Sequence, residues 1–246
     1  MSKDQNVDTR KKETLYVTGL TGFLNKLNKT EVKNATVYTT NDSKEFMNHA
    51  IESNWLVRKL NIPKSNDLLE ASMQSKNVKF LNFDFEEGKY DYVVYADNKL
   101  IINQDQVDSL VNNIGDNCCL LGKQGHSVIT EFYHAMAYDR YKARTVEMRH
   151  NIDSYIQSNG MSAVNKAPSV VGGLIVFNLN AKGFNEFIAD LNKEQKYYNH
   201  PECQIMLSLF ANFSKYKDRI KKVNFNDIIT PIHSKMPQKH IPGKTY

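Results

Sequence analysis

The segment KYDYVVYADNKLII, residues 89–102, sets the strongest limit on what this chain can fold into. Its YDYVVYA run is apolar without alternation, and a strand of that kind is covered on both faces. It ends abruptly in Asp97, Asn98 and Lys99 before Leu100-Ile101-Ile102 resume. Two readings fit that ending. One is a strand-end turn in which Asn98 tolerates a positive φ. The other is a carboxylate held for chemistry at the carboxyl end of a central strand.

The flanking sequence supplies the rest of a layered fold. ATVYTTND (35–42) reads as a buried first strand, and LVRKL (56–60) as a second, closed by Pro63. LYVTGL (15–20) is a short strand or a turn. Between the two strands Asp42 or Ser43 can cap a helix whose Phe46, Met47, Ala50, Ile51 and Trp55 share a face. SNDLLEASMQSK continues as helix, VKFLNF as an apolar run of strand type, and NCCLLGK (117–123) as a short strand. One long helical pattern runs from His126 to Asn159, with Gly160 as its C′ residue. VVGGLIVFNLN (170–180) is a strong strand, and two shorter helices carry the stripes Phe184-Phe187-Ile188-Leu191 and Ile205-Met206-Leu209-Phe210-Phe213. This alternation predicts an α/β fold with a mostly parallel central sheet and helices on both faces. Residues 1–13 read as a tail, 14–230 as the domain and 231–246 as an extended arm.

Composition narrows the setting. A chain of 246 residues with 41% hydrophobic content suits one domain with a sizeable core. Its three cysteines, two of them adjacent, form no disulfide framework and no CxxC zinc pair, which predicts a reduced, cytoplasmic protein. The amino terminus lacks an apolar h-region, and GGLIVF is far shorter than the roughly 20 residues of a membrane span. The net charge of +5 points to an anionic partner: a nucleotide, a nucleic acid or an acidic surface. Nucleic acid has no further support, because the aromatics follow core spacing and form no stacking platform. No phosphate loop, dinucleotide fingerprint, GxSxG or HExxH occurs.

Several residues can carry chemistry, each beside a structural alternative. Thr39 and Thr40 can border a base and ribose, or belong to an ordinary helix cap. Gly172 and Gly173 permit close approach of a ligand or another backbone, or mark a bulge; Asn178 then offers an amide to hydroxyls. Arg58, Lys76 and Lys79 can meet a pyrophosphate or stand as surface charges. Glu202 and Gln204 open a helix, where they hold a hydroxyl or cap the turn. His233, in TPIHSKMP, is a metal ligand or a loop histidine.

In order and spacing, VYTTND, NWLVRKL and the stretch from ASMQSK to NKLII resemble the early half of a GT-A-like glycosyltransferase family, once filed as a domain of unknown function. GHSVITE, NIDSYIQSNGM, VGGLIVFN and ECQIML follow the later half, so the resemblance covers roughly residues 34–213. It implies a Rossmann-like GT-A fold and transfer of a sugar from a nucleotide-diphosphate sugar to an unknown acceptor. It also implies that Asp97 holds Mn²⁺ or Mg²⁺ on the diphosphate, with His233 as a further ligand and Glu202 as the first choice of base. Two positions depart from the pattern: the family's Asp-Gln is Cys203-Gln204, and its tryptophan before the acid is Tyr95. The usual second acid is also missing, since Lys99 holds that place. A binding or scaffold protein on the same fold, and a sugar transferase directed at nucleic acid, are the alternative functions.

Overall fold

The structure is a computed structural model that describes residues 13–22, 26–86, 88–142 and 144–224. Nearly all of the expected tail, the expected arm and His233 lie outside the described residues.

The elements in chain order are β1 (Thr14–Leu20), β2 (Ala35–Thr39), α1 (Lys44–Glu52), β3 (Leu56–Lys59), α2 (Leu68–Lys79), β4 (Tyr92–Ala96) and α3 (Gln104–Ile114). They continue with β5 (Cys119–Ser127), α4 (Val128–Met136), α5 (Asp139–Lys142), α6 (Thr145–Asn159), α7 (Met161–Lys166) and β6 (Pro168–Asn178). The last are α8 (Phe184–Tyr198), α9 (Gln204–Phe213) and β7 (Ile220–Val223). One seven-stranded sheet of order β3-β2-β1-β4-β6-β5-β7 joins them. Only β6 runs against its neighbours β4 and β5; every other pairing is parallel. The expected α/β architecture with a mostly parallel sheet is therefore present.

Both faces of the sheet are covered, which explains the unbroken apolar run of β4. Tyr92, Val94 and Ala96 face one core with Phe46, Ala50, Leu110 and Ile114 of α1 and α3. Val93 and Tyr95 face the other, packed with Val78, Phe187, Met206 and Phe210 from α2, α8 and α9. Local capping agrees with this layering. Ser43 accepts from Phe46 N at the start of α1, Asp67 caps α2, and Asn103 and Gln106 form a capping box on α3.

Four local expectations change. LYVTGL is a full strand at the centre of the sheet, paired with both β2 and β4, so ATVYT is the second strand. VKFLNF is no strand: Val78 and Lys79 finish α2, and Phe80 N still donates to Lys76 O at 2.9 Å. That helical end packs into the core, and so its sequence looks strand-like. The long helical pattern starts two residues later, because β5 runs on to Ser127, whose hydroxyl caps α4, and it is divided into α4, α5 and α6. Ile51 is exposed, whereas Trp55, beyond the end of α1, packs with its ring centre 5.4 Å from that of Tyr16 and donates Nε1–H to Asn28 O. Gly160 ends α6 with φ of 86°, as expected of a C′ glycine.

Candidate functional site

Asp97 is the first residue beyond β4, on the side of the sheet that Val93 and Tyr95 face. Its backbone N–H donates to Gly173 O at 2.8 Å, and Leu100 N returns to Asp97 O at 2.8 Å. The turn expected at Asn98-Lys99 is present, but Asn98 does not take the positive φ considered for it, and the same turn fixes the carboxylate. Oδ1 accepts the Tyr95 hydroxyl at 2.7 Å and pairs with Lys79 Nζ at 3.4 Å. The Lys79 side chain is only 5% exposed, while Asp97 keeps 26%, so a ligand can reach the acid and not the lysine. Lys79 also lies 3.7 Å from Cys203 Sγ and 5.1 Å from the centre of the Tyr95 ring.

The electrostatics follow from this packing. Burial works to raise the Asp97 carboxyl, yet Lys79, Lys99, Lys76 and the Tyr95 hydroxyl outweigh it and hold the group below the ordinary carboxylate range. Burial alone would depress Lys79, but Asp97 and Cys203 keep its ammonium well above the usual lysine value. Among the described residues Lys76 has no such ion pair, and burial moves it down. One lysine in contact and two further off therefore act on one carboxylate.

The other expected residues divide into two sets. Gly172 and Gly173 lie in the middle of β6, and Gly173 is beside Asp97. A Cβ on Gly173 would sit 3.0 Å from Asp97 Oδ2, so the glycine admits the carboxylate. Gly172 N donates to Gln204 Oε1 at 3.2 Å, which ties β6 to the start of α9. Glu202 is buried and accepts from Gln204 N at 2.6 Å, from Ile205 N at 3.2 Å and from the Tyr198 hydroxyl at 3.3 Å. Burial raises its pKa against those backbone donors. Its two oxygens are engaged in holding the first turn of α9, which is the capping alternative. Thr39 and Thr40 are at the same end of the sheet and buried. Their hydroxyls accept from Asn41 N at 2.9 Å and Gly22 N at 3.1 Å, which closes the loops after β1 and β2.

Two residues stand away from this group. Asn178 pairs with Tyr92 at the opposite end of β4 and donates to Gly115 O at 3.0 Å, so it cannot border a ligand held at Asp97. The antiparallel course of β6 causes this, since residues after the strand return to the far edge. Arg58 is aligned with Tyr38 on β2 and through it with Gly19 on β1. With strands ~4.8 Å apart, that places it roughly 14 Å from Asp97 across the sheet. It pairs instead with exposed Glu86 at 3.6 Å.

Among the described residues, the charges that act on Asp97 are ammonium groups, which work against a divalent ion there. Among the described residues, no set of three His, Cys, Asp or Glu ligand atoms includes this acid. The nearest charges are ammonium groups, and one carboxylate oxygen already carries two partners. Tyr95 and Cys203 complete the site and were visible in the sequence only as departures from a family pattern.

No protein-family model and no curated protein matches the chain. Among solved structures it is similar to mouse xyloside xylosyltransferase 1, at 10% identity and a TM-score of 0.44 over 86% of this chain and 84% of that one. It is also similar to galactosyltransferase LgtC, at 13% and 0.44 over 85% and 72%. A third is glucosyl-3-phosphoglycerate synthase of Mycobacterium tuberculosis with Mn²⁺ and UDP-glucose, at 12% and 0.42 over 87% and 69%. These TM-scores lie below 0.5, and the reading that follows rests on the chain's own geometry. Among the described residues no helix is long and apolar enough to cross a membrane.

Proposed function

We propose that this chain binds a nucleotide-diphosphate sugar at the carboxyl end of β4 and transfers the sugar to an acceptor, with lysines in place of a divalent metal. The Asp97–Lys79 pair between Gly173 and α9 carries this reading. Open α/β sheets bind ligands at the carboxyl ends of their strands, and β1, β2 and β4 all end here. Asp97 accepts hydroxyls of the donor. Lys99, exposed on the following turn, and Lys76 meet the charge that grows on the departing diphosphate. Lys79 stays beneath, fixing the acid in its ionised form. Glu202 is a positioning residue for α9 and Gln204.

Calorimetric titration with UDP-, GDP- and dTDP-sugars, each in chelator and in Mn²⁺, tests the proposal. One donor class should bind equally well in both. Binding by none of them ends the donor reading, and binding only with Mn²⁺ ends the lysine reading.

A binding protein without turnover is the second reading, favoured by the engagement of Glu202 and by the lack, among the described residues, of a free carboxylate beside Asp97. Donor binding with no release of nucleotide in the presence of varied acceptors would select it.

A further inference from the structure

A second group of chemistry-bearing side chains lies at the carboxyl end of β5. His126 is the penultimate residue of that strand, and Glu131 and His134 follow on α4, one turn apart and on one face. His126 Nε2 is 2.6 Å from Glu131 Oε2, and the two imidazole rings are 5.1 Å apart, edge to face. One ligand atom from each residue lies within 4.8 Å of the other two. His126 and Glu131 are partly buried, and His134 is exposed, so the group opens to solvent on one side.

We propose that His126, Glu131 and His134 bind a divalent transition ion of the zinc class, with a remaining position open to water or an anion. Zinc bonds of ~2.0–2.2 Å in tetrahedral geometry set ligand atoms roughly 3.4 Å apart. The His126–Glu131 spacing is 2.6 Å and no pair of ligand atoms exceeds 4.8 Å, so that value is within the reach of small side-chain rotations. Two imidazoles with one carboxylate favour zinc-class ions over Mg²⁺ or Ca²⁺, which take oxygen ligands. A plain His–Glu hydrogen bond would account for His126 and Glu131, but it leaves His134 turned onto the same point without a role. The site is separate from Asp97. Ser127 pairs with Pro168, five residues along β6 from Gly173, or roughly 17 Å at ~3.4 Å per residue.

The test uses the full chain, stripped with a chelator and titrated with Zn²⁺ against a chromophoric chelator. One ion per chain is expected, and Co²⁺ in its place should give the intense visible absorption of a tetrahedral site. His134→Ala and Glu131→Gln should each weaken Zn²⁺ by at least about tenfold, whereas the exposed His150→Ala should leave it unchanged. Failure to retain an ion, or equal affinity in His134→Ala and the parent, would overturn the proposal. His134 is exposed, so its alanine variant keeps the fold and decides the matter even if Glu131→Gln does not.

Discussion

Gly173 and Asp97 meet twice: the glycine carbonyl accepts the Asp97 N–H, and the carboxylate fills the space a Cβ on Gly173 would need. Gly173→Ala must therefore push the carboxylate away from Lys79 or open the β4–β6 pairing. It should lower stability by about 1–3 kcal/mol and weaken donor binding. Gly172→Ala meets nothing closer than 3.8 Å and should change stability by less than about 1 kcal/mol. Urea midpoints of the two variants make the comparison, and equal losses would contradict the contact.

Removing the acid strands a buried ammonium. Asp97→Asn should cost roughly 2–4 kcal/mol, moderated by the acid's partial exposure, and adding Lys79→Met should restore much of the loss. The sign with pH follows from the depressed Asp97 pKa. Its contribution is present above the unfolded value near 3.8 and disappears as pH falls through the lower folded value. The gap between parent and Asp97→Asn should thus close in acid. A gap that persists at pH 2 would show that the pair does not supply it.

His200 offers a separate acid sensitivity. It is fully buried, its Nδ1 accepts from Glu202 N at 3.0 Å, and burial lowers its pKa from 6.5 to about 4. The neutral ring is the folded form, so its contribution is complete above pH 6.5 and declines as pH falls toward 4. The loss is on the order of 3 kcal/mol at most. Denaturation of His200→Gln across that range should show a flatter pH profile than the parent.

Glu202 distinguishes a base from an anchor. Glu202→Gln keeps an oxygen for the α9 amides and should retain donor binding and any turnover, with stability reduced by about 1 kcal/mol. Glu202→Ala should cost about 2 kcal/mol through the freed N–H groups. Loss of turnover in a stable, donor-binding Glu202→Gln would instead make this residue the base.

The layered fold was legible because period and length separate strands from helices when the segments are long. It failed at VKFLNF and at 126–159, where tertiary packing decides: a helix end buried under the sheet looks like a strand, and a strand running into a capped helix looks like one helix. Asp97, Gly172, Gly173 and the lysines were found because a charge or a glycine pair interrupts an apolar run. Which lysine was the buried partner of Asp97 was invisible, since Lys76 and Lys79 differ only in where α2 aims them. Asn178 was misplaced because strand direction leaves no mark on a buried apolar strand. His126, Glu131 and His134 escaped notice because only Glu131 and His134 share a helix face; His126 belongs to a strand.

The reversed course of β6 has a consequence for biosynthesis. β4 pairs with β1 at once, but its other neighbour is encoded roughly 80 residues later, a delay of about 4–16 s at ~5–20 residues per second of translation. Until then the nascent half-sheet shows an apolar edge of five residues to other chains, and Asp97 lacks the backbone that will hold it.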